Sequence, residues 1–115
     1  MRSELGNEVR LYHIIECADE IEEAIQNKNF ETFTANHVLR IAVVKWIEII
    51  GEAAANITSD FKETHSEIDW KAIIGMRNVV VHEYFGIKYE LIWETATIHV
   101  PEVKKQIEII YKELK

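Results

Sequence analysis

Apolar residues recur along most of this chain at helical spacing. From Ser3 to about Asn27 they fall at Leu5, Val9, Tyr12, Ile15, Ala18, Ile21 and Ile25, in steps of three and four. That spacing predicts an amphipathic helix, with Glu16, Glu20, Glu22 and Glu23 on its solvated side. Asn27-Lys28-Asn29 breaks it. Phe30 and Phe33 flank a short connection and are expected to plug one end of a bundle. Thr34 or Asn36 can cap the next helix, which runs to about Ile57. There Val38, Leu39, Ala42, Val43, Trp46, Ile47, Ile49, Ile50, Ala53, Ala54 and Ile57 cover much of the circumference, so the helix is buried on more than one side.

The segment Thr58–Glu67 is polar, prolonging that helix by a turn before looping, with His65 exposed and idle. Ser66-Glu67-Ile68-Asp69 resembles a helix N-cap, and Trp70 opens the helix after it. Tyr89 to about His99 predicts a further helix with Leu91, Ile92, Trp93 and Ala96 inward. Pro101 suits the first turn of a last helix, whose stripe is Val103, Ile107, Ile110 and Leu114. His13, His37 and His99 have no partner at a useful spacing.

One proline and four glycines in 115 residues agree with long helices and not with a many-turned β fold. The expected architecture is a single all-α domain over residues 1–115, an up-and-down bundle of about five helices with the Gly75–Gly86 helix in its middle. No apolar run is long enough to span a bilayer, and the charged start Met1-Arg2-Ser3-Glu4 carries no signal-peptide core. Cys17 is the lone cysteine, which fits a reducing cytoplasm. Thirteen basic against twenty acidic side chains give −7, which counts against a general nucleic-acid-binding module with a broad basic face. A small RNA-cleaving site with locally placed arginines is not, and a basic protein partner is compatible.

Chemistry concentrates in Gly75-Met76-Arg77-Asn78-Val79-Val80-Val81-His82-Glu83-Tyr84-Phe85-Gly86-Ile87. A guanidinium, an amide, an imidazole and a phenol fall there within an otherwise apolar stretch. Arg77 is always cationic and suits phosphate oxygens; His82 exchanges protons near neutral pH. On an ideal helix, five residues rotate Arg77 and His82 apart by about 140°, whereas Asn78 and His82 share a face and Arg77 and Tyr84 align. One helix alone therefore does not aim Arg77 and His82 at the same phosphate. Val79-Val80-Val81 also allows a strand, but no second strand-like run exists to pair with it. Glu48 and Glu52 share a helix face and lack a His or Cys at ligand spacing, which disfavours a metal site. Pairing of one of them with a base on a facing helix, Arg77 being a candidate, is the simpler reading.

The run Gly75-Met76-Arg77-Asn78, followed by His82-Glu83-Tyr84-Phe85-Gly86-Ile87, resembles the Arg-x4-His-x-Tyr signature of the HepT-like toxins of the HEPN (higher eukaryotes and prokaryotes nucleotide-binding) superfamily. Glu48-Ile49-Ile50-Gly51-Glu52-Ala53-Ala54 resembles that family's second helix, and Pro101 its late proline. Asp69 stands where the family often has proline. The resemblance implies a HEPN-type bundle, a two-fold dimer and a metal-independent endoribonuclease. In it Arg77 stabilises the phosphate, His82 is the acid/base and Asn78 a supporting neighbour. It also implies a partner, a minimal nucleotidyltransferase antitoxin that silences the toxin by AMPylation of Tyr84. No cofactor is expected. The competing readings are a non-catalytic, nucleotide- or substrate-binding subunit of that nucleotidyltransferase, and a structural protein with a buried Arg–His network.

Overall fold

The computed structural model describes residues 2–78 and 89–114, with side chains from residue 6 onward. Every element among them is helical. In order these are α1 (Arg2–Ile25), α2 (Phe30–Ala35), α3 (His37–Ala55), α4 (Ser59–Thr64), α5 (Trp70–Gly75), α6 (Tyr89–Glu94), a π-helical turn (Thr95–His99) and α7 (Val100–Leu114). Helix α1 lies at the centre, packed on both α3 and α7, while α5 packs on α3.

The core stripe of α1 is Asn7, Leu11, Ile14, Ala18, Ile21 and Ile25. Its steps of four, three, four, three and four keep the α-helical period. The stripe expected through Val9 and Tyr12 advances mostly by threes and drifts around the helix, so those two side chains are 45% and 48% exposed. Leu11, Ile14 and Ile21 meet Val43, Ile47 and Ile50 of α3 and Ile107 and Ile110 of α7 in one core. Burial of each such side chain contributes about 1.5–3 kcal/mol. Lys104 of α7 bridges to Asp19 at 2.7 Å and Glu22 at 2.8 Å on α1. Those carboxylates hold the ammonium protonated well above the usual lysine range. Burial, with Glu20 and Glu16 nearby, pushes the Cys17 thiol up to about 11. It is thus a protonated, unreactive core residue at neutral pH.

Two short helices replace expected connections. Asn29 caps α2 by accepting the Thr32 N–H, and buried Phe33 meets the Trp93 ring at 5.1 Å. Asn36 rather than Thr34 caps α3, accepting the Leu39 N–H at 3.0 Å. The polar segment after α3 turns at Asn56 and forms α4. His65, expected to be exposed and idle, is instead only 17% exposed. Its ring lies 4.5 Å from Phe61 and its carbonyl accepts the Trp70 indole N–H at 3.0 Å.

The expected break at His99 does not occur. From Tyr89 to Leu114 the helix is continuous, and Pro101 sits inside it. A proline in an α-helix loses one amide donor and its ring collides with the carbonyl four residues back, here Thr97. The widened turn relieves this: the Val100 N–H bonds to the Thr95 carbonyl, five residues back. The Thr95 and Thr97 hydroxyls donate to the Leu91 and Trp93 carbonyls, both at 2.8 Å.

Candidate functional site

The approach to Arg77 is fixed from below. Asp69 accepts the Ala72 N–H at 3.0 Å and caps α5. The carboxylate thus does at the helix start what a proline would do through its fixed φ. Trp70 and Ile73 are buried in the core, and Met76, in the turn after α5, is buried too. These anchors lay Arg77 across α3 at Gly51. A Cβ built on Gly51 would stand 2.3 Å from Arg77 Cγ and 3.2 Å from both its Cδ and its backbone nitrogen. Only glycine admits the arginine stem at that crossing.

One residue on, Glu52 Oε1 accepts from Arg77 Nη1 at 2.7 Å. This is the pairing expected from the acidic face of α3. Glu48 instead pairs with Lys45 at 3.2 Å. The Arg77 and Glu52 side chains are 38% and 55% exposed. A pair so open to water stabilises the fold by less than about 1 kcal/mol. Its consequence is orientation: one carboxylate oxygen holds one edge of the guanidinium, a fork with five N–H donors. Asn78 follows, exposed to solvent. His82 and Tyr84 lie outside the described residues, as does the choice between helix and strand for Val79–Phe85. Among the described residues no three His, Cys, Asp or Glu side chains are grouped to hold a metal ion. None of the described helices is long and apolar enough to cross a membrane.

Beside the pair, Glu52 also lines an open cleft of about 340 Å3 between α1 and α3, together with Arg10, His13 and Lys45. The sequence pattern did not single out Arg10. Its available signal was Gly6 one turn earlier, because a Cβ there would lie 2.7 Å from Arg10 Nη1.

The sequence model of the family described as "Ribonuclease HepT-like" matches residues 14–110. The chain belongs to the HepT-like ribonuclease family. The match runs from α1 into α7 and includes both described and undescribed parts of the Arg77–Tyr84 signature. Similar proteins include one of Caldanaerobacter subterraneus subsp. tengcongensis, named "Putative RNase". It is 44% identical over 104 residues, 90% of this chain and 93% of that one. Another of the same name, from Methanocaldococcus jannaschii, is 40% identical over 100 residues, 87% of this chain and 92% of its own. A "Probable ribonuclease HepT" of Thermococcus cleftensis is 37% identical over 102 residues, 89% of this chain and 93% of its own. No solved structure matches the chain significantly. In this member of the family, the crossing at Gly51 and the carboxylate of Glu52 set where Arg77 stands.

Proposed function

We propose that this HepT-like ribonuclease cuts RNA without a metal ion, through attack of the RNA's own 2′-hydroxyl, at a site built on Arg77 and His82. The carrying observation is Arg77, laid over Gly51, held by Glu52 and still open to solvent. RNA brings its nucleophile with it. His82 takes the 2′-hydroxyl proton as the oxygen attacks the adjacent phosphorus, and an imidazolium returns a proton to the departing 5′-oxygen. The Arg77 fork donates to the non-bridging oxygens as charge accumulates on the phosphorane. Asn78 supports the two. The products are a 2′,3′-cyclic phosphate end and a 5′-hydroxyl end. Purified protein incubated with single-stranded RNA in excess chelator should yield those ends; RNA left intact under these conditions overturns the proposal.

One arginine and one histidine make a sparse site, and two copies across a two-fold axis near Arg77–His82 make a fuller one. The proposal therefore includes a symmetric homodimer. Light scattering at tens of micromolar should give twice the chain mass, and a single-chain mass removes the composite site.

The same reading makes the chain the toxin of a cytoplasmic toxin–antitoxin pair, neutralised when a minimal nucleotidyltransferase transfers AMP from ATP to Tyr84. The phenolic oxygen attacks the α-phosphorus and pyrophosphate leaves. Tyr84 is two residues after His82 and two before Gly86. Phosphate placed there competes with RNA for Arg77 and fills the approach to it. Co-expression with the partner should add AMP-sized mass increments to the wild-type chain and none to Tyr84→Phe. Equal increments on both, or none on either, refute the assignment.

A further inference from the structure

The chain is acidic overall, yet its α1–α3 edge gathers cations beside Arg77. Buried Asn7 pins this edge. Its amide donates to Thr58 Oγ1 at 3.0 Å, and its carbonyl accepts the Thr58 N–H at 3.1 Å. That clamp joins the start of α1 to the turn after α3. One helical turn on from Gly6, Arg10 folds its guanidinium back over the glycine, with Nη1 where a Cβ would nearly touch it. Arg77 also lies over a glycine, Gly51, but by its stem. Two arginines thus each cross a glycine, Arg10 with its guanidinium and Arg77 with its stem.

The cleft beside Arg10 has a floor of Ile49 and Ala53, and its volume is at the lower end of the roughly 300–1,000 Å3 typical of ligand sites. Its lining holds two cations, Arg10 and Lys45, and two carboxylates, Glu48 and Glu52, one of which is engaged from outside the cleft. Lys45 and Glu48 neutralise each other at 3.2 Å, and Glu52 is neutralised by Arg77. Among the described residues Arg10 has no carboxylate partner, and the His13 ring lines the same cleft. Glu52 belongs both to this cleft and to the Arg77 pair, so the two cationic places are contiguous.

We propose that this cleft holds the ribose-phosphate next to the scissile one, so that a single RNA strand crosses from Arg77 past Glu52 to Arg10 and His13. The proposal rests on RNA being cut at Arg77 and extends it. Arg10 supplies the planar fork that suits phosphate oxygens, with the His13 ring beside it in the cleft. In a chain of net charge −7, a guanidinium with no carboxylate partner is a local place for the backbone to be held.

The test is fluorescence anisotropy of a labelled single-stranded oligoribonucleotide in the His82→Ala background, which keeps the probe intact. Arg10→Gln should weaken binding about tenfold. It should also lower the salt dependence of log K by roughly 0.7, the share of one phosphate contact on a single strand. Gly6→Ala keeps every charge and displaces only the end of Arg10, so it should weaken binding several-fold in a folded protein. Lys112→Gln, an exposed cation of α7, should leave affinity unchanged. Equal losses for Arg10→Gln and Lys112→Gln, no loss for Arg10→Gln, or no binding in any background overturns the cleft assignment. Cleavage in chelator is a separate readout. RNA cut normally with binding indifferent to Arg10 removes only this cleft. Uncut RNA with a loss specific to Arg10→Gln removes only the catalytic reading.

Discussion

Arg77→Ala and His82→Ala should each slow RNA cleavage by about a hundred- to a thousandfold, the usual loss when one donor to a developing oxyanion or one proton-transfer group is removed. For Arg77 the fold should hardly notice. Its pair with Glu52 is open to water, so the melting temperature should shift by no more than the equivalent of about 1 kcal/mol. Arg77→Lys should fail almost as badly as alanine. A lysine can reach Glu52 as a point charge, but it cannot offer one edge of a planar fork to the carboxylate and another to phosphate. Initial cleavage rates with thermal melts of the same samples decide the matter. Wild-type rates for His82→Ala remove that residue from the chemistry. Loss of activity only in samples that have unfolded makes the Arg77 pair structural.

Gly51→Ala tests the same guanidinium without touching it. In an ordinary mid-helix position this change stabilises by about 1 kcal/mol, because alanine is the better helix former. Here the new methyl group would stand 2.3 Å from Arg77 Cγ and 3.2 Å from its backbone nitrogen. These are the base of the side chain and the main chain, which cannot swing aside as the tip of an arginine can. The α3–α5 crossing must open, at a cost of about 1–3 kcal/mol for overpacking. Stability should therefore change little or fall slightly. The guanidinium, carried by the displaced backbone, should lose its bond to Glu52, and cleavage should drop at least tenfold, since misplacements of about 1 Å reach a hundredfold. Activity equal to wild type, with a raised melting temperature, would show that Arg77 need not lie on Gly51.

Much of this was legible in the residues. Helices were visible from their apolar spacing and from the scarcity of proline and glycine. The pairing of Arg77 with the acidic face of α3 followed from two glutamates four apart on a helix with small residues beside them. Which glutamate pairs was not legible, since that depends on where α5 crosses α3. The face of α1 was misjudged at its start because Val9 and Tyr12 are apolar and nearly in phase; the buried position is Asn7, whose partner Thr58 is 51 residues away. His65 was misjudged because its contacts come from a separate short helix that no periodicity announces. Arg10 lay unremarked for a related reason: its seat is a missing side chain at Gly6. The partial helical turn between Arg77 and His82 is an expectation from their spacing alone, since His82 lies outside the described residues.

The π turn at Thr95–His99 has a consequence for how chain length can vary in this fold. Ile92, Ala96 and Val100 are all buried, two successive steps of four that an α-helix would carry about 80° out of phase. The widened turn absorbs that surplus, so α6 and α7 both face the core although one residue too many separates them. The turn is thus an insertion stored inside a helix, held there by Pro101. A lineage that lost one residue between Thr95 and His99, together with the proline, would recover a regular helix with both apolar faces still inward. This is the place along the helix where a one-residue gap between descendants would leave the rest of the bundle in register.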